Sequence, residues 1–393
     1  MRQNFRTQAL LITVVGMDAP NDFKMSHTGL CQSKSVEETS MTNITTIGLD
    51  LAKSVFQVHC ADRDGQPVMR KKLRRAQVLE FFRKLPPCLV AMEACSSAHH
   101  WARSLQDLGH EVRLIPPQYV KPFVKTNKND ATDAEAICEA AMRPTMRFAP
   151  IKSAEQQAVL SLHRARDLLV RQRTMLINAL RGHCGEFGII TSVGACNIGK
   201  LIEIIEDRED KRIPELARET LLLLIEQMRA VEVRIGALEK KLKAWHRTNE
   251  ASCRLETIPG IGLITATALV ATIGDASQFQ SGRQLAAWLG LVPKQNSSGG
   301  KDRLGRISKR GDRYLRRLLV HGARAVLRWT RARKQERSGW VQALLARRPT
   351  NVVLVAMANK TARVVWAMLR REQTYRVLPQ NDAMIHSAAV SGA

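Results

Sequence analysis

Residues 44–53, ITTIGLDLAK, decide the fold. The run is apolar and β-branched, so it reads as a strand, and it carries an acid, Asp50. Outward from it, SVFQVHCAD (54–62) alternates as a second strand. QPVMRKKLR (66–74) is a third, reached through Asp64-Gly65 turn chemistry. Beyond this antiparallel meander, AQVLEFFRKL (76–85) has helical spacing and CLVAMEAC (88–95) is a buried strand. SAHHWARSLQDLGH (97–110) is a helix ending at Gly109, and HEVRLIPP (110–117) is a strand closed by Pro116 and Pro117. Three strands followed by alternating helix and strand predict an α/β layered domain over residues 44–150.

An acid on the first strand and a second at the end of the fourth is the order of an RNase H-like nuclease. Asp50 and Glu93 are expected near neighbouring strand ends, where two carboxylates can share a hard cation. In NKNDATDAEAICEAAM (127–142), Asp130 and Asp133 are three residues apart and so share one helix face. Four acids could then converge. Carboxylate oxygens suit Mg²⁺, which keeps several waters and bridges to substrate phosphate, so such a group would serve phosphoryl transfer. Each acid alone has a plainer reading, as a turn cap, an arginine partner or a helix-dipole complement. Glu135 and Glu139 continue the helix, either solvated or part of the group.

The 393 residues carry 61 Lys+Arg against 36 Asp+Glu, a formal net charge of +25, with 45% hydrophobic and 5% aromatic residues. A chain of this length folds as two or three domains. Its charge repels itself unless a polyanion lies against it, which favours nucleic acid over a small metabolite. With no run of about 18 or more apolar residues, no membrane-spanning helix is expected. Eight cysteines show no C-x-x-C pair and no histidine at zinc-finger spacing, which fits a reduced compartment without structural zinc. Residues 1–43 read as a disordered extension. MRQNFRTQALLITVVGM imitates a secretory signal without a small-x-small cleavage pattern, and Met25 or Met41 could each be the natural start.

Residues 151–250 predict a helical coiled-coil arm. Ala158, Leu162, Ala165, Leu169, Leu176 and Ala179 trace a seam on one long helix, broken by the Gly-rich stretch 182–200. Leu224, Met228, Val231, Ile235, Leu238, Leu242 and Trp245 form a heptad seam on a second. Such an arm has little core of its own and could join protomers.

A mainly α domain, residues 251–372, is expected next, with residues 373–393 as a tail. Pro259-Gly260-Ile261-Gly262 resembles the hairpin of a helix-hairpin-helix element, whose glycines let backbone N–H groups approach a phosphate; an ordinary tight turn between core helices is the alternative. Between residues 301 and 350 there are 16 Lys+Arg and 3 Asp+Glu, so 13 net charges fall in 50 residues. Lys301, Arg303, Arg306, Lys309 and Arg310 precede a helix whose apolar face is opposed by Arg313, Arg317, Arg324 and Arg328, a stripe suited to a phosphate backbone. Beside it, NSSGGK (296–301) places serines among flexible glycines and cations, as either a linker or a phosphate-attacking nucleophile.

GLDLAK (48–53), the MEAC segment with Glu93, NDATDAEAI (129–137), IPGIG, LAAWLGLVP, SSGGK and ISKRGDRYLRRLL occur in one order. Together they resemble the DEDD-type insertion-sequence transposases, also called bridge-RNA-guided recombinases, over residues 44–370. The resemblance implies a RuvC-like amino-terminal domain with the tetrad Asp50, Glu93, Asp130 and Asp133 holding Mg²⁺. It implies a carboxy-terminal transposase domain donating Ser298, with Ser297 as the other register, and a covalent phosphoserine intermediate on DNA. It further implies double-stranded DNA and an element-encoded guide RNA as partners, a homo-oligomer, no membrane, and a bacterial cytoplasmic, nucleoid-associated location. The leader and the residues beyond 372 lie outside the resemblance. A metal-only nuclease of the Holliday-junction resolvase type is the alternative. An actin-like ATPase or sugar kinase would need a second phosphate loop that is absent, and an architectural binding protein would have no use for the acids.

Overall fold

The computed structural model describes residues 43–125, 130–301, 303–332 and 339–376. The expected extension 1–43 and tail 373–393 lie outside these, apart from Asn43 and residues 373–376.

Strands β1 (Thr46–Asp50), β2 (Val55–Ala61), β3 (Pro67–Arg74), β4 (Leu89–Glu93) and β5 (Glu111–Ile115) form one mixed sheet in the order β3-β2-β1-β4-β5. The meander is antiparallel, whereas β4 and β5 are parallel to β1. Helices α1 (Val78–Arg83) and α2 (Ala98–Gln106) connect the later strands. Phe56, Phe82, Trp101 and Leu105 bury with them in the main core of this unit. After the short α3 (Pro117–Val120), helix α4 (Asp130–Ala141) closes a second core of Ala91, Ile115, Ile137 and Ala140. This mixed-sheet α/β unit is consistent with the expected RNase H-like domain.

Helix α4 lies almost on the backbone of β1. A Cβ placed on Gly48 would stand 2.1 Å from the Ala134 carbonyl oxygen and 2.6 Å from the Cys138 amide nitrogen. No side chain fits there, and the small buried residues Ala134 and Cys138 form the α4 side of the contact. The helix is thereby drawn down over the sheet with its acidic first turn beside the end of β1.

The long helices α5 (Ala154–Glu186) and α7 (Glu215–Thr248) pack antiparallel, as the pairs Arg166–Glu239 and Arg173–Glu232 show. Of the expected α7 seam, Met228, Val231, Ile235 and Leu242 are buried, whereas Leu224, Leu238 and Trp245 are half-buried and Ile225 takes the place of Leu224 in the core. The α5 seam is displaced. Its buried residues are Val159, His163, Ile177, Leu180 and Cys184, because the stems of Arg166 and Arg173 take seam positions against α7 while their heads pair with its glutamates. Nor do glycines break α5, which runs through Gly182 and Gly185 to Glu186. The arm also has its own core, where Ile177, Leu180 and Ile225 meet Leu201 and Ile205 of α6 (Ile198–Glu206). There the buried Arg218 guanidinium donates to the carbonyls of Ile205 and Asp207, both at 2.6 Å.

The remaining helices are α8 (Glu250–Glu256), α9 (Leu263–Ile273), α10 (Gly282–Trp288), α11 (Arg313–Ala332), α12 (Gly339–Arg347) and α13 (Thr350–Arg371). They surround a core containing Leu269, Leu285, Leu315, Leu319 and Val365. By length and composition α13 could cross a membrane, yet Val353, Leu354, Ala358, Ala362 and Val365 are buried in this unit. A hairpin of β6 (Pro293–Gln295) and β7 (Leu304–Ile307) interrupts the helices. His163 ties the base of α5 to this core, its ring within hydrogen-bond reach of the Tyr314 hydroxyl at 3.1 Å and of Thr267 at 3.0 Å.

Gly48→Ala is expected to cost about 3 kcal/mol or more in denaturant unfolding, since backbone must move to admit the methyl group. Gly182→Ala, where a Cβ meets nothing, should be neutral or stabilising by about 0.5–1 kcal/mol. Equal effects would remove the special role of the β1–α4 contact.

Candidate active site and nucleic-acid surface

Leu49 pairs with Met92 in the parallel ladder, so Asp50 and Glu93, the last residues of β1 and β4, leave the sheet side by side. Asp130 and Asp133 occupy the first turn of α4. All three act on Asp50. Its carboxyl is pushed up to about 6, first by burial and then by the negative charges of Asp133, Asp130 and Glu93, against a hydrogen bond from the Leu51 amide that favours the ionised form. The four predicted acids therefore form one electrostatic group.

Glu135 and Glu139 turn elsewhere. Glu135 pairs with Arg70 at 2.9 Å and Lys125 at 3.1 Å, and Glu139 with Arg143 at 2.7 Å. They are neutralised partners of a basic surface rather than members of the group.

Among the described residues no three of His, Cys, Asp and Glu form a ready-made metal cage. The acid group nevertheless fits a hard divalent cation, because its donors are all carboxylate oxygens whose mutual repulsion already reaches Asp50. Such ions are commonly held by one or two carboxylates completed by waters and substrate phosphate.

The stretch read as a flexible loop is the tip of the β6–β7 hairpin. Gly299 and Gly300 have φ of 56° and 74°, and the Lys301 amide donates to the Ser298 carbonyl at 3.1 Å. This is a two-residue turn with both central residues left-handed, the geometry that matches strand twist. The Ser297 hydroxyl accepts from the Arg303 amide at 3.1 Å and is tied across the hairpin. Ser298 is exposed at the turn. The acids and Ser298 belong to separate units, and among the described residues the hairpin does not pack extensively on the sheet or α4.

The basic residues divide by their partners. Arg317 pairs with Asp167 of α5 and lies over the Tyr314 ring. Arg316 donates to the carbonyls of Leu289 at 2.9 Å and Arg310 at 3.0 Å. Arg313, Arg324 and Arg328 make no ion pair among the described residues and remain exposed along α11. Lys301, Arg303, Arg306, Lys309 and Arg310 are exposed on or just beyond the hairpin.

The glycines of this unit serve close crossings that sequence reading missed. A Cβ on Gly322 would stand 2.0 Å from the Gly260 carbonyl oxygen, so the Pro-Gly-Ile-Gly turn rests directly on α11. Gly262, preceding α9, meets nothing. Gly311 and Gly290 let the Lys309-Arg310-Gly311 loop cross the end of α10, with a Cβ on Gly311 only 1.8 Å from the Trp288 carbonyl oxygen. Spaced glycines flanked by helices were the available signal for these crossings.

The raised Asp50 value has a consequence for stability. A carboxyl that binds its proton more tightly folded than unfolded weakens the fold as pH rises from about 4 to about 6, with the penalty full above that. Near pH 7.5, in chelator, Asp50→Asn should melt higher than wild type. Adding Mg²⁺ should raise the wild-type midpoint and leave that of the variant unchanged. A lower midpoint for the variant in chelator would contradict the crowding of the four acids.

Two family models match the chain. Residues 252–338 match the family described as Transposase IS116/IS110/IS902 family, and residues 47–187 match a DEDD model described as Transposase. The chain is 57% identical over 335 residues to a "Probable family 20 transposase" of Pseudomonas aeruginosa, covering 85% of this chain and 99% of that protein. It is 44% identical over 328 residues to the transposase for insertion sequence element IS1328 of Yersinia enterocolitica, covering 84% and 97%. With the transposase for insertion sequence element IS1111A of Coxiella burnetii it shares 43% identity over 337 residues, covering 86% and 93%. With its acid group on a mixed sheet and its basic helical unit, the chain belongs to the IS116/IS110/IS902 family of transposases, enzymes that cut and rejoin DNA.

Proposed function

We propose that the chain carries out strand cutting and rejoining through a phosphoserine intermediate, with Ser298 as nucleophile and Asp50, Glu93, Asp130 and Asp133 as ligands for Mg²⁺. The observation that carries the reading is that the charges of Asp133, Asp130 and Glu93 all act on Asp50, in a chain of net charge +25. Bound there, the ion would offset negative charge on the phosphate being exchanged. The Ser298 oxygen forms a new ester bond to phosphorus as the bond to one deoxyribose oxygen breaks. The hydroxyl proton passes to solvent or a neighbouring base, and the departing oxygen takes one up. One phosphate ester replaces another, so a second attack by a deoxyribose hydroxyl rejoins the strands without an external energy source. Lys301 and Arg303 beside the turn balance the charge developing on phosphate. Both serines are exposed, and the hydrogen bond holding Ser297 favours Ser298 as the register.

The resemblance supports a composite site, with the serine of one unit acting on a phosphate held by the acids of another, and an element-encoded RNA that pairs with the donor and target double-stranded DNA. Base pairing would then carry sequence choice, while Lys309, Arg310, Arg313, Arg324, Arg328, Arg303, Arg306 and Lys301 follow phosphates. Arg317 contributes through α5 rather than as a free cation. In the helix-hairpin-helix reading Gly262 offers the open backbone and Gly260 fixes the turn on α11. Residues 44–150, 151–250 and 251–372 act as catalytic domain, arm and transposase domain; a core within each supports the division, while Val159, Leu242 and Ala271 share a further small core that joins the base of the arm to the last unit. Self-association through the arm is supported by Leu168 and Met175, one heptad apart on α5 and 49% and 69% exposed.

The test is covalent trapping on a denaturing gel, with element-end DNA, co-transcribed RNA and Mg²⁺. An adduct in wild type and Ser297→Ala that disappears in Ser298→Ala is the expected outcome. DNA cut with no adduct in any variant would make the chain a metal-dependent nuclease and its hairpin a phosphate-binding element.

A further inference from the structure

A groove of about 1280 Å³ runs between the base of the β6–β7 hairpin and α13. One wall is Pro293, Gly305, Arg306 and Ile307 of the hairpin, and the opposite wall is the outer face of α13 around Val352 and Val355. Trp340, at the start of α12, stands at its edge 40% exposed, with the Lys360 ammonium over its ring at 4.8 Å. Four cations line the groove: Arg283, Arg306, Lys360 and Arg363. Among the described residues its lining contains no Asp or Glu, and none of the four cations makes an ion pair.

The combination selects its occupant. A protein helix seated on an apolar groove needs only the apolar walls and leaves four unpaired cations unexplained. Duplex DNA supplies the anion but keeps its flat base faces stacked out of reach. Unpaired nucleotides supply both, a phosphate for each cation and a π face for Trp340. Gly282 brings the groups together, since a Cβ there would lie 2.9 Å from the Arg363 Cα, so α10 and α13 touch and Arg283 and Arg363 both line the groove.

We propose that this groove binds unpaired nucleotides of the DNA strand being exchanged, next to the phosphate presented to Ser298. The choice of DNA rests on the assignment of Ser298 as nucleophile, because the same hairpin forms the groove wall and carries that serine at its tip. From Pro293 to Ser298 the strand spans about 17 Å at about 3.3 Å per residue, about five nucleotides at a stacked spacing of about 3.4 Å. The groove therefore engages bases about five positions from the reacting phosphate, holding them apart from their old partner while a new one is found.

The experiment uses the full chain carrying Ser298→Ala, so that binding is read without covalent capture, and an oligothymidylate probe followed by fluorescence anisotropy. Trp340→Ala should weaken single-strand binding by about tenfold, the loss of one stacked base. Trp340→Phe should restore most of it, and duplex affinity should be unchanged. In the Trp340-intact protein, an oligonucleotide bearing 5-iodouracil should photocrosslink to the peptide containing Trp340. Unchanged single-strand affinity in Trp340→Ala, equal losses for single strand and duplex, or crosslinks that avoid Trp340 would each overturn the proposal. Tighter binding of oligouridylate than oligothymidylate would overturn the choice of DNA. A changed oligomeric state with unchanged single-strand affinity would assign the groove to a protein partner instead. Failure of the serine assignment shows separately, as loss of the covalent adduct with Trp340-dependent binding intact.

Discussion

The backbone contact between Gly48 and α4 is the constraint on which the acid group depends. Parallel pairing of β1 and β4 sets Asp50 beside Glu93, but Asp130 and Asp133 reach them only because α4 lies close enough to β1 that its Ala134 carbonyl fills the space a side chain would take. The closeness has an electrostatic cost, seen in the raised Asp50 carboxyl. A fold that crowds like charges in this way gives up stability at one place, which is a mark of functional sites.

The carboxy-terminal unit obeys a related rule. Its glycine crossings, Gly260 on Gly322 and Gly311 on Trp288, fix turns and helices at backbone distance and leave the basic side chains on the outside. Asp312 caps α11 by accepting from the amides of Tyr314 at 2.7 Å and Leu315 at 2.9 Å, so the arginine stripe begins on a fixed helix. The β6–β7 hairpin closes on this framework through a tight two-residue turn at Gly299 and Gly300.

Much of this was legible in the sequence. The meander, the strand carrying Glu93 and the alternating helices were readable because β-branched runs and turn residues bound each element, and the acids stand at element ends where chemistry is usually placed. The buried part of the α7 seam was readable for the same reason. The α5 seam was not, because periodicity counts Arg166 and Arg173 as polar although their stems pack on α7. The serine hairpin hid in its composition: β6 is polar and exposed, and two adjacent glycines look like slack until their φ values fit a tight turn. The pairing of Arg317 with Asp167 links residues 150 positions apart, which no local pattern reveals. The role of Gly48 could have been suspected from a lone glycine inside a strand, a known mark of close backbone approach.

In the proposed reaction the acid group and Ser298 act on one phosphate. The most direct test replaces a non-bridging oxygen of that phosphate with sulfur and compares adduct formation in Mg²⁺ and Mn²⁺, since sulfur is a poor ligand for the harder ion. One phosphorothioate diastereomer should lose the serine adduct in Mg²⁺ and regain it in Mn²⁺. Equal adduct yields in the two ions for both diastereomers would contradict it and separate the acids from the serine chemistry.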